Sequence, residues 1–428
     1  MAIQSFCKTH CPGVGSVIML AIVFSLTAVA GQGQTFAVLH NFTGGQDGAN
    51  PLAGVSMDRV GNLYGTASLG ALGYGTVYKL ALHGTGWVLT PLYQFRGGSD
   101  GFYPEARVIV GPDGRLYGTT FYGGNSQPAC LQGDVQTCGT VFQLRPQPTA
   151  CTTALCPWTE AQIYLGNTFP NFFFFGLGDL VFDPAGNLYG TALQGGNAGG
   201  AGGVFELTPS GGGWTETNIL DLGNQGTGGA EPFAGVIRDS AGNLYGTTGG
   251  TVGVGNYPYG SVYELSPSGS GWTTSVLHQF QDGSDGSFPK ADLILDAVGN
   301  LYGTTPDGGS GNSGTVFELA HSEGGWVFSV LYSFTGPISR GPWGPVLMDA
   351  GGNLYGTTLA GGAFQQGSVF KLTHSNGSWT YTSLHDFTGD SDGRSPYGHL
   401  IFDANGNLYG TAGWGGANGD GVVWEVTP

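Results

Sequence analysis

Apolar residues along the chain come in short runs, and the runs recur as a set of four. The first run is apolar and closes on an Asp, as in Ala291–Asp296 (ADLILD). The second is Leu-Tyr-Gly-Thr, as in Leu301–Thr304, and the third resembles Gly314–Leu319 (GTVFEL). The fourth opens on Gly-Trp and closes on an aromatic residue, as in Gly325–Phe334. Runs of this length, with Gly and Asp between them and no helical period, predict β-strands joined by tight turns. We label them strands a to d. Each copy carries the core Gly-Asn-Leu-Tyr-Gly-Thr, with Arg115 in the Asn position of the second copy. The cores start at Gly61, Gly114, Gly186, Gly242, Gly299, Gly352 and Gly406, at intervals of 53, 72, 56, 57, 53 and 54 residues. Four strands in about 55 residues is the size of a propeller blade, so seven copies predict an all-β, seven-bladed β-propeller.

The array is cut out of phase at its ends. The seventh copy stops after its strand c, Gly421–Val426, and Thr35–Phe42 reads as a strand d without a blade. Pairing the two would close the ring and leave no sheet edge there. The a–b turns have a physical signature as well. Asp58, Asp183, Asp239, Asp296, Asp349 and Asp403 each stand three residues before the core glycine. A carboxylate there can accept turn N–H groups while the glycine takes positive φ. The second copy departs, with Gly111 in that place and Asp113 beside Gly114.

Composition narrows the class. Glycine reaches 83 of 428 residues, yet aromatics make up 12% and there is no Gly-X-Y period, which excludes collagen and disorder. Twelve Lys and Arg face 29 Asp and Glu, a net charge of −17, so nucleic acid and anionic membrane surfaces are not expected partners. Lys8, the apolar run Val17–Ala30 and the small residues Ala28–Ala30 read as a secretory signal over residues 1–30. An uncleaved N-terminal anchor is the other reading. The run is short for a membrane span, and no later stretch is long enough to be one. Residues 31–428 are then expected as a single propeller domain, secreted to the extracellular space or periplasm. Cys7 and Cys11 would leave with the signal. Cys130, Cys138, Cys151 and Cys156 remain, an even number that points to two disulfides in an exported protein. No His lies near them, so zinc is disfavoured. Cys130 and Cys138 fall in the b–c loop of the second copy, Cys151 and Cys156 in its c–d loop. The strand between the pairs spans roughly 23 Å at about 3.3 Å per residue. A disulfide tolerates only about 4.4–6.8 Å between Cα atoms, so the expected pairs are Cys130–Cys138 and Cys151–Cys156.

The Gly-Asn-Leu-Tyr-Gly-Thr cores, the third-strand segments at Gly139, Gly314 and Gly367, and the F-x-G-x-x-D-G-x-x-P linkers carry a family resemblance. The chain resembles the bacterial choice-of-anchor tandem repeat GloVer-containing proteins over nearly its whole length after the N-terminal segment. The resemblance implies export and often a C-terminal sorting anchor. With Pro428 inside the last copy, no such anchor is expected here. No activity comes with the resemblance. The D-x-x-G-N-L-Y segment is similar to the Asp-box turn of sialidase-like propellers, as a turn only.

In an up-and-down blade the b–c loops and the d–a linkers share one face, here called the top. These loops vary, whereas the a–b turns are uniform, so a site is expected at the top. Four residues before the turn Asp, the copies read Gly54, Arg107, Asp179, Gly235, Asp292, Pro345 and His399. Polar variation inside an otherwise regular strand points to a channel mouth. Arg107, Asp179, Asp292 and His399 are the candidate binding residues, converging as acid, base and anion-binding groups. A solvated channel wall is the plainer reading of the same four.

The linkers add Asp47, Asp100, Asp285 and Asp392, with Asp282 and Asp390 nearby. Calcium takes such oxygens, but each loop offers one or two carboxylates and no bidentate Glu. Turn formation is expected, with no metal and no cofactor. His40, His278 and His385 share a register with Tyr93 and Tyr332, and are expected to be structural. The aromatic run Asn171–Phe175 is expected to pack under its loop in preference to stacking on sugars. The Arg residues fall in different registers, which argues against a sialidase site. There is no nucleophile elbow and no Walker loop. The leading expectation is a secreted or cell-surface binding module for a polysaccharide or a protein. The alternative is an extracellular carbohydrate-active hydrolase or lyase using the four polar residues. A surface protein without a ligand is the third.

Overall fold

The computed structural model describes residues 34–124, 131–132, 135–136, 139–146, 158–165, 172–173, 178–195, 201–223, 229–250, 257–269, 271–336 and 341–427. Residues 1–30, expected to be a secretory signal, and all the cysteines lie outside these residues, as does the Asn171–Phe175 run apart from the backbone of Phe172 and Phe173.

Residues Gln34–Pro428 form one compact unit. It contains seven four-stranded antiparallel sheets, a seven-bladed β-propeller. Blade 1 is built from Val55–Met57, Leu63–Ala67, Thr76–His83 and Gly86–Gln94. Blade 7 is built from Ile401–Phe402, Leu408–Ala412, Val422–Thr427 and the N-terminal strand Thr35–Asn41. Thr35 faces Thr427 and Asn41 faces Val422 across an antiparallel ladder. The ring therefore closes without a covalent bond, by the out-of-phase ends. Among the described residues, no helix is long and apolar enough to cross a membrane.

The Leu-Tyr-Gly-Thr strand is buried along its whole length because each residue has a separate task. Leu301 packs inside its own blade with Phe317 and Leu319, and Tyr245 of the preceding blade joins the same cluster. At Gly303 a Cβ would lie 2.4 Å from the Phe317 ring, so the strand c aromatic lies directly on the glycine. The threonine ties blades together. Thr66, Thr191, Thr247 and Thr304 each donate a hydroxyl hydrogen bond to a carbonyl of the next blade, at Ala106, Ala234, Ala291 and Gly344. The Gly-Trp opening of strand d makes the return contact. Trp326 packs edge-on against Tyr245 of the blade before it at 5.8 Å, and Trp87 of blade 1 meets Tyr409 of blade 7 at 6.0 Å.

The turn Asp residues behave as their spacing predicts. Asp349 accepts the backbone N–H groups of Gly351 and Asn353, the Asn353 amide and the Tyr355 hydroxyl. In blade 2, Asp113 substitutes from its shifted place by accepting from Arg115 N–H and Tyr117 OH.

Strand a is shorter than its sequence pattern. The ladder in blade 5 covers only Ile294–Leu295, where the apolar run extends over six residues. Near the axis some of the first strands leave their own ladders to meet a neighbouring blade. Gly54 forms a parallel bridge with His399 of the neighbouring blade. A Cβ on Gly54 would stand 2.2 Å from the His399 carbonyl oxygen, and one on Gly235 would stand 2.2 Å from that of Asp179. Glycine at these two positions is required by the close approach of backbones.

Candidate axial site

The top face is defined by contacts between the linkers and the b–c loops. Isolated bridges join Ala49 to Leu69, Phe102 to Tyr122, Ser287 to Asp307 and Arg394 to Trp414. The residue before the linker proline lies in the left-handed region in five blades: Asn50, Tyr103, Glu231, Phe288 and Ser395, with φ of 54 to 58°. Each of these residues donates its N–H to a loop carbonyl of the preceding blade. This reversal turns the next residues toward the axis.

Two tiers of side chains result. The lower tier contains the four predicted residues, and the structure brings them together. Arg107 donates from Nε to Asp179 Oδ2 at 2.7 Å and from its backbone N–H to Oδ1 at 3.0 Å. His399 Nε2 lies 2.9 Å from Asp292 Oδ2 and 3.3 Å from Asp179 Oδ2. The Gly235 N–H donates to Asp292 Oδ1 at 2.6 Å. Four blades thus contribute to one chain, Arg107–Asp179–His399–Asp292, in which each carboxylate is held by a neighbouring backbone. Both Asp residues are 8% exposed. Burial drives the Asp292 carboxyl upward. The His399 bond, the His399 and Arg107 charges and the Gly235 N–H outweigh it and hold the group below the ordinary carboxylate range.

The ligating atoms of Asp179, Asp292 and His399 lie within 4.8 Å of one another, a spacing a cation could bridge. Arg107 already engages both Asp179 oxygens, Oδ1 from its backbone N–H and Oδ2 from its guanidinium. Ion pairing accounts for the arrangement as it stands.

The upper tier is the residue after each linker proline. Leu52, Glu105, Phe233, Lys290, Trp343 and Tyr397 line a cavity of about 210 Å³ with the lower tier, far more than the ~10–15 Å³ one water needs. Burial pushes the Glu105 carboxyl up to about 7. Burial also lowers the Lys290 ammonium, against the charges of Asp307 and Glu231. The Lys290 Nζ stands 4.7 Å from the Phe233 ring centroid and 4.5 Å from that of Trp343. Sequence reasoning missed this tier. Its signal was a variable, bulky or charged residue fixed between proline and Ala or Gly.

Further out, an aromatic surface joins blades 1 and 2. Phe102 stacks on Tyr122 at 5.2 Å, Tyr103 lies 5.9 Å from Tyr122, and Tyr74 packs edge-on against Phe102 at 5.7 Å. The other candidates serve the scaffold. His40, His278 and His385 each bond the linker carboxylate seven residues on, Asp47, Asp285 and Asp392, at 3.0, 3.2 and 3.0 Å. Tyr93 reaches Asp100 in the same way. Those carboxylates also cap linker N–H groups, at Thr43, Arg96, Gln281 and Thr388.

A closed ring of seven sheets with a small cavity on its axis, lined by charged and aromatic side chains, defines a β-propeller with an axial site. The chain belongs to the Gloeobacter/Verrucomicrobia repeat family, whose sequence profile matches residues 15–168, 176–335 and 249–428. None of the curated proteins matches it in sequence. Among solved structures it is similar to the extracellular domain assigned to a hybrid two-component system of B. thetaiotaomicron. That match has a TM-score of 0.54 and 11% identity, and covers 91% of this chain and 39% of that one. The chain thus spans about two-fifths of that extracellular domain. A protein of unknown function from Dyadobacter fermentans has a TM-score of 0.47 and 11% identity, with 92% and 98% covered. A protein assigned as a glucose dehydrogenase from Thermus thermophilus has a TM-score of 0.41 and 13% identity, with 92% and 100% covered. At 11% identity the likeness to the B. thetaiotaomicron domain is one of fold alone.

Proposed function

We propose that the protein is an extracellular binding module that takes a sugar ring, or the end of a polysaccharide, into its axial pocket. The observation that carries this reading is the convergence of Arg107, Asp179, Asp292 and His399 on one cavity beneath a partly aromatic upper tier. Concave sites with a few converging polar groups and apolar walls are where small ligands bind. The aromatic surface of blades 1 and 2 offers further ring faces beside it. The extracellular setting rests on the N-terminal segment, which reads as an export signal. A glycan array probed with the wild-type protein and with His399→Ala tests the reading. Hits that disappear in the variant are expected. An array without hits, alongside a pull-down without a partner, would overturn it.

A second reading, hydrolysis or elimination on an extracellular carbohydrate, is favoured by one specific feature. Two buried carboxylates share a single imidazole, an arrangement able to move a proton at a bound substrate. Incubating array hits with the protein separates the two readings. New reducing ends or unsaturated products would establish catalysis, and unchanged glycan would leave binding alone.

A further inference from the structure

Among the described residues, two hydrogen-bond donors that line the axial pocket have no acceptor, and they stand side by side. Lys290 in blade 5 forms no ion pair among the described residues. Its ammonium rests between the rings of Phe233 and Trp343, which offer π electrons but no lone pair. Trp343 in blade 6 lines the same cavity, and its Nε1–H is buried without a partner. Glu231 and Asp307 act on the Lys290 ammonium through their charge, without an ion pair, and the carboxylates of the lower tier are committed elsewhere. Asp179 uses one oxygen on the Arg107 N–H and the other on the Arg107 guanidinium and His399. Asp292 uses one on the Gly235 N–H and the other on His399. Glu105 is three blades away from Lys290, and burial raises its carboxyl to about 7.

A half-buried cation without an ion pair and a buried N–H without a partner among the described residues suit a ligand that brings two oxygens and one negative charge. We infer that the ligand of the axial pocket carries a carboxylate, as a uronic acid does, and that Lys290 and Trp343 are its anchor. This inference rests on the sugar-binding reading and adds the class of sugar. One carboxylate oxygen accepts from the Lys290 ammonium and the other from the Trp343 indole, while the ring hydroxyls face the lower tier.

The test is titration calorimetry of the full chain with uronate trisaccharides of the galacturonate, guluronate and glucuronate series. The matching methyl esters, neutral trisaccharides and inorganic phosphate serve as comparisons. We expect at least one uronate to bind. Its ester should bind at least about 10-fold more weakly, and so should the acid to Lys290→Gln, the effect of losing one hydrogen bond to a charged group. Trp343→Phe, which keeps the ring and removes the N–H, should weaken binding as well. If the ester binds as tightly as the acid, or Lys290→Gln binds undiminished, the carboxylate anchor is overturned and the pocket remains a sugar site. Phosphate binding without uronate binding also overturns the carboxylate. Silence from every saccharide overturns both this inference and the reading beneath it. Should Lys290→Gln fail to fold, the ester comparison on the wild-type protein decides.

Discussion

Tyr78, Tyr263 and Trp424 stand in strand c at the register where other blades have Phe142, Phe205, Phe317 and Phe370. All three are fully buried, and their polar tips have no hydrogen-bond partner. A buried donor without an acceptor costs about 1–3 kcal/mol. Tyr78→Phe should therefore raise stability by about 1 kcal/mol in urea unfolding. A loss instead would reveal an ordered water on the hydroxyl. Glu105 gives a pH-dependent counterpart. Its folded pKa, about 7, lies above its ordinary 4.5. Folding therefore favours the protonated form. That contribution is full below about pH 4.5 and is lost as pH rises through about 7. Glu105→Gln should stabilise the protein by about 2 kcal/mol at pH 8 and be nearly neutral at pH 4. Equal effects at both pH values would contradict the burial of that carboxyl. His278 and His385 act with the opposite sign. Burial depresses both despite their Asp partners, so their contribution is present above about 6.5 and fades as the solution is acidified.

Each blade is a four-stranded sheet whose second strand does most of the joining. Thr304 binds Gly344 of the next blade from the top of its strand, and Trp326 binds Tyr245 of the previous blade from below. Thr304→Val keeps the shape and removes the interblade hydrogen bond. It should cost about 1–2 kcal/mol in thermal or urea unfolding, and no change would show that the ring is held by apolar packing alone. These elements were legible in the sequence because the repeat displayed them seven times. The core glycine and the strand c aromatic each had one register and one physical task, and the turn Asp kept its register in six of the seven copies. Lower-tier residues such as Asp179 and His399 were legible for the converse reason: they break a pattern that is otherwise kept. The upper tier was hidden. Glu105, Lys290 and Trp343 follow a proline in linkers that read as turns, and for the first two a left-handed residue before that proline turns the chain inward. Tyr103 and Phe288 occupy that conformation, and side chains of that size do not announce it. The partners of His40, His278 and His385 were equally hidden, since a contact across seven residues of bulged strand and linker has no simple period.

At the scale of the ring, stability depends on a ladder between the two ends of the described chain. Without Thr35–Asn41, the strand Val422–Thr427 would be an open edge and blade 7 would lose Phe36 and Val38 from its core. A protein lacking residues 34–41 is expected to melt at lower temperature and to self-associate in size-exclusion chromatography, and the free peptide added in trans should reverse both. A monomer with an unchanged melting curve would mean that the clasp contributes nothing.

The same clasp says how this architecture can be opened. Thr35 and Thr427 are opposed as Ser268 and Gly271, Ser322 and Gly325, and Ser375 and Ser378 are in intact hairpins. A two-residue turn in place of the gap would make the seventh sheet like the others, and the polypeptide would become a circle with interchangeable sectors. Termini could then be moved to the hairpin of any other sector, and a fused partner could be carried at a chosen angle around the axis while the central pocket stays untouched.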